Sequence, residues 1–217
     1  MDRSAIILAG GMSKEFDSDK TLLELEGKPL ISYVVEAVQD IAEQVIVVTD
    51  SQEVADAYAK LVPYAEFVVN KDESDDILAE VITGLEAAQG EYSLILPSGS
   101  PFVSPELISL LYDLCIGKAA VVPRWTNQEC EPLHAVYNTK MALETAKAVS
   151  TESQSDMVSV VEKLRGVRYL STMVIEQLDP DFRSFFTVTT PVALKKAIAM
   201  ARPKPKGRVK AKVRKTK

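Results

Sequence analysis

The stretch Ala5-Ile6-Ile7-Leu8-Ala9-Gly10-Gly11-Met12-Ser13, followed by Asp19-Lys20, decides how the rest of the chain is interpreted. Its first half is a short apolar run, which predicts a buried β-strand over residues 4–9. Two adjacent glycines let the main chain approach a ligand and direct N–H groups at it, and Lys20 adds a positive charge. Open α/β sheets bind ligands at the carboxyl ends of their strands. These residues therefore predict a phosphate or nucleotide site in the first β–α loop.

This loop matches neither of two common phosphate-binding motifs. Gly11 and Lys20 are nine residues apart, which is too far for a P-loop, and the three-glycine dinucleotide fingerprint is absent. The residues alone leave a second interpretation open. In that interpretation Gly10 and Gly11 only form a tight turn and Lys20 is solvated.

Strand and helix patterns alternate after the loop. Strands are predicted over 4–9, 44–49, 66–69, 92–96, 119–123, 133–137, 167–170 and 185–188, and a short extended piece over 21–25. Helices are predicted over 29–41, 51–61, 77–88, 105–115, 140–149, 156–164 and 191–201, and Gly90 is expected to cap the third of them. The alternation predicts an α/β fold, a three-layer, Rossmann-like, mostly parallel twisted sheet with helices on both faces.

Composition fits a globular protein with a sizeable core, since 47% of the 217 residues are hydrophobic. No apolar run is long enough to cross a membrane, and the amino terminus lacks the pattern of a signal peptide. We therefore expect a cytoplasmic protein without membrane partners. Cys115 and Cys130 fit no zinc spacing, and the expectation is buried or surface thiols.

The charge is divided unevenly along the chain. The net charge is −6, but residues 202–217 carry nine of the 25 lysines and arginines and no acid. Residues 1–201 are left with 16 basic and 31 acidic residues, a net charge of −15. We expect one domain over 1–201 and a basic, disordered tail over 202–217. The tail could bind an acidic partner or nucleic acid, or be solvated with only weak contacts.

Several stretches resemble the nucleotidyltransferases of the molybdenum cofactor guanylyltransferase (MobA) type. The resemblance begins with Leu8-Ala9-Gly10-Gly11-Met12-Ser13 and Asp19-Lys20, and continues with Gly27-Lys28-Pro29-Leu30. Later segments are 94–97 with 101–107, Glu131-Pro132-Leu133-His134-Ala135-Val136-Tyr137, and 186–191. The resemblance implies a nucleotide-diphospho-sugar transferase-like fold. It also implies transfer of GMP from GTP to molybdopterin or the molybdenum cofactor, with release of pyrophosphate.

The resemblance also implies the residues of the site. Lys20 would be the catalytic cation on the triphosphate, and Glu131 and His134 would contact the phosphorylated acceptor. A structural histidine without a chemical role is the alternative for His134, and Trp125 could either stack on a pterin or guanine or be a partly buried loop aromatic. The implied nucleotide contacts are Leu8, Ala9, Gly10, Gly11, Ser13, Lys20, Asp50 and Asp72.

Several family positions carry different residues here. Glu15 and Asp17 stand where the family has arginine and glycine, and residues 76–80 replace a segment with two glycines by one with two acids. Mg²⁺ is expected from the family, but its usual aspartate is Gly99 in this chain. Thr187 and Thr189 stand where the family has two asparagines. Hydroxyl oxygens are weaker ligands than carboxylates for a hard cation. An acid elsewhere could replace the lost aspartate, the candidates being Asp17, Asp19, Asp75, Asp76 and Glu80, so no metal ligand is assigned.

Two further functions remain open from the sequence. One is a nucleotide-binding paralogue with weak or lost catalysis, which the missing aspartate favours. The other is a nucleotidyltransferase for a different phosphorylated acceptor.

Overall fold

The computed structural model consists of alternating strands and helices. It describes residues 2–10, 23–72, 76–152 and 155–201. Gly11, Ser13, Lys20 and the basic tail lie outside the described residues. The strands are β1 (Arg3–Leu8), β2 (Glu24–Leu25), β3 (Lys28–Pro29), β4 (Gln44–Thr49), β5 (Glu66–Val69), β6 (Tyr92–Pro97), β7 (Ala120–Arg124), β8 (Ala135–Asn138) and β9 (Val167–Ser171). The helices are α1 (Leu30–Val38), α2 (Gln52–Ala59), α3 (Ile77–Ala87), α4 (Pro105–Cys115), α5 (Thr139–Val149), α6 (Met157–Lys163), α7 (Thr172–Ile175) and α8 (Pro191–Ala201).

The main sheet has seven strands in the order β5-β4-β1-β6-β8-β7-β9. Every pairing within it is parallel except the two made by β8, which runs antiparallel to β6 and β7. The β1 side chains alternate between the two faces, with Ala5 and Ile7 in one core and Ile6 and Leu8 in the other. Burial on both faces explains why the strand is a continuous apolar run.

Helices cover both faces of this sheet. The face of Ala5 and Ile7 packs against buried side chains of α1, α2 and α4, and the face of Ile6 and Leu8 packs against α3, α5 and α6. The predicted three-layer, mostly parallel α/β fold is therefore confirmed. A third, smaller cluster joins α8 to β2 and to the start of α1 through Leu25, Leu30 and Ala197.

Strand order places a crevice beside β1. The chain goes from β1 to β4 and β5 on one side, and then crosses through α3 to β6 on the other. The register pairs Leu8 with Pro97, so the segments that follow β1 and β6 leave the sheet side by side. Such a reversal of strand order is where open α/β sheets form ligand crevices.

Two local predictions are wrong. The C-cap of α3 is Ala88, which is extended, and Gly90 instead packs against the start of β1. Its N–H donates to Ser4 Oγ at 2.9 Å, and a Cβ on Gly90 would lie only 2.7 Å from the Ser4 nitrogen. Glycine is therefore required there by close approach and not by helix capping.

The predicted strand over 185–188 is absent, and a 3₁₀ helix covers Arg183–Phe185 instead. The buried Asp179 carboxylate accepts hydrogen bonds from the N–H groups of Arg183 at 3.0 Å and Ser184 at 2.7 Å. Those bonds hold the main chain at 183–185 in a helical turn. After that turn, the Val188 N–H donates to the Gly99 carbonyl.

Cys115 is buried and Cys130 is partly buried, and both are free thiols. Burial raises the pKa of both thiols, to about 12 for Cys115. Reactive cysteines need a lowered pKa, so both fit the expected structural role. None of the helices described here is long and apolar enough to span a bilayer.

Candidate active site

A cavity of about 410 Å³ opens at the carboxyl ends of β1 and β6. This volume lies in the range of pockets that hold small ligands. Its lining is mainly apolar and main-chain, with a few polar side chains. The lining residues that lie directly on the two strand ends are Leu8, Ala9, Gly10, Pro97, Ser98 and Gly99.

Hydrogen bonds fix the floor of this cavity. The Ala9 N–H donates to the Val48 carbonyl at 2.8 Å, and the Ser98 N–H donates to the Leu8 carbonyl at 2.9 Å. Both residues follow their strands but remain tied to neighbouring ones. The main chain that would contact a ligand is thus rigid before any ligand binds, which lowers the entropy cost of binding.

One carboxylate lies on the cavity wall beside Gly10. Glu80 is partly buried in the first turn of α3, and a Cβ built on Gly10 would lie 2.6 Å from its Oε1 and 3.1 Å from its Oε2. Glycine at position 10 is therefore what allows the carboxylate to lie against the end of β1. The sequence showed Glu80 only as an acid in place of a family glycine. Its place in the first turn after β5, facing the ligand edge of the sheet, was the available signal.

Gly99 is in close contact with a segment that arrives from the end of the chain. The Val188 N–H donates to the Gly99 carbonyl at 2.8 Å. A Cβ on Gly99 would lie 2.9 Å from the Val188 carbonyl oxygen and 3.3 Å from Thr187 Cγ2. A side chain at position 99 would require this segment to shift.

These residues do not fit a Mg²⁺ site of the kind that the resemblance implies. Hydroxyls at Ser98, Thr187 and Thr189 are neutral oxygens, whereas Mg²⁺ is usually bound through carboxylates. No cluster of three or more histidine, cysteine, aspartate or glutamate side chains with metal-binding geometry occurs in the described ranges. Mg²⁺ dependence therefore stays a prediction from the family.

His134 lies in a hydrogen-bonded group of buried side chains. Its Nε2 is 3.1 Å from Ser100 Oγ, and the same hydroxyl is 3.0 Å from Thr187 Oγ1. The ring is only 5% exposed and meets Phe185 edge-on at 5.6 Å between centroids. Burial lowers the pKa of His134 to about 4, so the imidazole is neutral at pH 7. Its Nδ1 is buried without a hydrogen-bond partner in the described part of the chain.

Glu131 joins the cavity to an aromatic cluster. Its Oε1 accepts a hydrogen bond from Trp125 Nε1 at 2.6 Å. Burial raises the pKa of the carboxyl, while the tryptophan hydrogen bond opposes that change. The indole packs against Phe182 and Phe185 at 5.1 and 5.6 Å between centroids. Trp125 is therefore a partly buried loop aromatic that positions Glu131, and it is not among the residues lining the cavity.

The structure brings only some of the predicted site residues together. Leu8, Ala9, Gly10, Glu131 and His134 line the cavity. Asp50 and Asp72 are exposed on the loops after β4 and β5 and are not part of its lining. The predicted contacts at Gly11, Ser13 and Lys20 fall outside the described residues. The link from Ser100 to Thr187 was missed, because 87 residues separate them and no local pattern predicts the contact.

Comparison with known proteins now identifies the family. The family model of the MobA-like NTP transferase domain matches residues 5–167 of this chain. This chain belongs to that family. The match covers β1 from Ala5 and all of β4 to β8, including the two strand ends at the cavity, and stops at the first residue of β9.

Similar proteins extend the MobA-like match over nearly the whole chain. A probable molybdenum cofactor guanylyltransferase of Methanosarcina mazei is 31% identical over 208 residues, covering 93% of this chain and 92% of the relative. A probable molybdenum cofactor guanylyltransferase of Methanosarcina acetivorans is 33% identical over 199 residues, covering 87% of this chain and 86% of the relative. The crystal structure of molybdopterin-guanine dinucleotide biosynthesis protein A from Archaeoglobus fulgidus shares the fold. Its TM-score is 0.76 at 24% identity, covering 91% of this chain and 97% of that one.

Proposed function

We propose that this MobA-like protein transfers GMP from GTP to the terminal phosphate of molybdopterin or the molybdenum cofactor. A phosphate oxygen of the acceptor forms the new bond to the α-phosphorus of GTP. The bond between that phosphorus and the oxygen bridging to the β-phosphate breaks, and pyrophosphate leaves. The acceptor supplies the nucleophile, so no covalent enzyme intermediate is needed. Relatives named as guanylyltransferases over most of the chain support this assignment.

The cavity beside Gly10 is the observation that carries the proposal. Rigid main chain at Leu8–Gly10 lies at the strand-order reversal, and the lining includes Leu23 and Ile77, whose apolar surfaces suit a flat heterocycle. We assign the base to this end of the cavity. The following loop with Lys20 would take the phosphates, since lysine offsets the charge of a triphosphate.

Glu131 and His134 are proposed to contact the acceptor at the opposite end of the cavity. His134 is neutral, so it offers a hydrogen bond without a charge, and its Nδ1 is the buried nitrogen that has a hydrogen bond to give or accept. The hydrogen bond from Trp125 fixes the position of the Glu131 carboxylate. Rigid placement of this kind aligns an attacking phosphate with the α-phosphorus.

A second candidate is a nucleotide-binding paralogue that transfers GMP slowly or not at all. Gly99 stands at the position of the family's metal-binding aspartate. The specific observation in favour of the paralogue is that Val188 packs against Gly99 and leaves little space for a side chain there. Phosphoryl transfer depends strongly on cations that offset the developing charge. A site without a carboxylate at that position has less to hold such a cation.

The test incubates the full-length protein with GTP, Mg²⁺ and the molybdenum cofactor and measures pyrophosphate. Lys20→Ala should abolish pyrophosphate release. Lys118→Ala is the matched control, because Lys118 precedes the amino end of β7, whereas the cavity lies at the carboxyl ends of β1 and β6. GTP binding in calorimetry without pyrophosphate release from the wild type would support the paralogue. Failure to bind GTP would contradict both functions.

A further inference from the structure

Phe182 has a main-chain conformation that is unusual for a phenylalanine. Its φ of 49° and ψ of 35° lie in the left-handed region, which glycine and asparagine enter easily and bulky side chains rarely do. A strained main chain of this kind persists only where surrounding contacts enforce it, and such positions cluster at functional sites. The residue that enforces this conformation, and the groups that the Phe182 ring contacts, therefore bear on function.

Asp179 enforces the conformation of Phe182. The Phe182 N–H donates to the Asp179 main-chain carbonyl at 3.0 Å. The Asp179 side chain accepts the N–H of Arg183 on Oδ1 at 3.0 Å and the N–H of Ser184 on Oδ2 at 2.7 Å. This side chain is only 8% exposed, and both of its oxygens accept hydrogen bonds within the turn. Hydrogen bonds to one residue thus fix the main chain at Phe182 and at the two residues that follow it.

The turn places two aromatic rings beside the end of the cavity assigned to the acceptor. The Phe182 ring lies 5.1 Å from the Trp125 indole between centroids. The Phe185 ring lies 5.6 Å from the indole and 5.6 Å from the His134 imidazole. The indole N–H in turn donates to Glu131 Oε1 at 2.6 Å. The two rings therefore support both polar side chains assigned to the acceptor.

We infer that Asp179 is a positioning residue for the acceptor. It fixes the turn, and the two rings of the turn hold Glu131 and His134 in place before the acceptor binds. Asp179 does not line the cavity, so it acts through these rings and touches no substrate. Side chains that are fixed in advance lose less freedom on binding, so the turn contributes to acceptor affinity. The inference rests on the proposed function in taking Glu131 and His134 as the acceptor contacts. Separate hydrogen bonds among β1, β4 and β6 hold the main chain assigned to GTP, so GTP affinity should not depend on Asp179.

The experiment measures molybdopterin binding and GTP binding separately, by anaerobic isothermal titration of the full-length protein. Asp179→Asn keeps one acceptor oxygen and places an amide NH₂ against the other main-chain N–H, which loosens the turn. Molybdopterin binding should weaken about 5- to 10-fold, the effect of having to order about two side chains on binding. The Kd for GTP should change by less than about twofold. The emission of Trp125, the single tryptophan, should shift to longer wavelength as its packing loosens.

Phe182→Gly is the second variant, and it decides the question if Asp179→Asn does not fold. Glycine adopts the left-handed conformation without strain and keeps its N–H, so the variant removes the ring and leaves the hydrogen bonds of the turn. It should weaken molybdopterin binding selectively and shift the Trp125 emission. Arg183→Lys is the control from the same turn, because the Arg183 guanidinium contacts the Met200 carbonyl at 2.9 Å and the Phe102 ring, both outside the cavity. It should leave molybdopterin affinity and Trp125 emission unchanged, even where it lowers the Tm.

Three results would overturn the positioning role of Asp179. One is a folded Asp179→Asn that binds molybdopterin as tightly as the wild type. Another is an equal loss of GTP and molybdopterin binding, and the third is a loss in Arg183→Lys as large as that in Phe182→Gly, since both indicate a general structural effect. Selective loss of molybdopterin binding in the variants supports the role even if the wild type releases no pyrophosphate, a result that contradicts GMP transfer alone. A wild type that binds GTP and no molybdopterin would overturn both the positioning role and transfer to this acceptor.

Discussion

Restoring an aspartate at position 99 should destabilise this protein. The family's metal-binding carboxylate belongs there, so Gly99→Asp is the obvious attempt to rebuild a cation site. In this structure, neighbouring atoms leave too little space for a side chain at position 99. The Cβ of any side chain would lie 2.9 Å from the Val188 carbonyl oxygen and 3.3 Å from Thr187 Cγ2. The Val188 N–H is at the same time hydrogen-bonded to the Gly99 carbonyl at 2.8 Å, so the two segments cannot separate without losing that bond.

The size of the effect follows from two contributions. Forcing an extra carbon into a packed contact costs about 1–3 kcal/mol. Placing the new carboxylate beside a carbonyl oxygen in a partly buried position adds about 1–2 kcal/mol for a polar group without a partner. Replacing glycine restricts the unfolded chain and offsets only about 0.4–1 kcal/mol. We expect a net loss of about 2–4 kcal/mol, or about 5–15 °C in Tm for a chain of this length.

Thermal and urea unfolding followed by circular dichroism measure the loss. Gly99→Ala adds the Cβ without the charge and should lose about 1–2 kcal/mol. Ser98→Asp is the control, since Ser98 already carries a Cβ on the neighbouring residue and should lose less than about 1 kcal/mol. The reasoning is refuted if Gly99→Asp unfolds within about 1 °C of the wild type, or if Gly99→Ala is no less stable than Ser98→Asp.

Three further substitutions test the packing around the cavity. The His134 pKa is lowered from 6.5 to about 4 by burial, so the unfolded state binds the extra proton and stability falls with pH from about 6.5 towards 4. His134→Gln should reduce the loss in unfolding free energy between pH 7 and 4.5 by about 2 kcal/mol relative to wild type. Gly84→Ala should lose about 1–3 kcal/mol of unfolding free energy despite better helix propensity, because its Cβ would lie 2.4 Å from Ile6 Cγ2. In a double-mutant cycle with Ile6→Ala, the double variant should be more stable than the sum of the two single losses predicts, and additive losses would contradict the contact. Glu131→Ala should cost about 1–3 kcal/mol by leaving the indole N–H of Trp125 unpaired and should shift the fluorescence of this single tryptophan; an unchanged spectrum would argue against the hydrogen bond.

Much of the fold was predictable because its signals are local. The strands at 44–49 and 66–69 and the helices at 105–115 and 191–201 were predicted with the bounds that the structure has. Continuous β-branched runs mark strands buried on both faces, and Pro105 and Pro191 mark the first turns of helices. The strand over 185–188 was predicted wrongly, because Phe185 ends a 3₁₀ turn that begins at Arg183, and Val188 is tied to Gly99, a residue distant in the sequence.

The sequence by itself determined the family and the α/β class, and it predicted the candidate site at the end of β1. These depend on residues near one another in the chain, namely the apolar strand, the two glycines and the ordered motifs that follow. Only the tertiary structure decided what surrounds that place. It brings the Glu80 carboxylate from α3 against Gly10, and it brings Val188 against Gly99 across 89 residues of chain. Contacts of this kind depend on how helices and loops pack on the sheet, and no periodicity in the sequence encodes that packing.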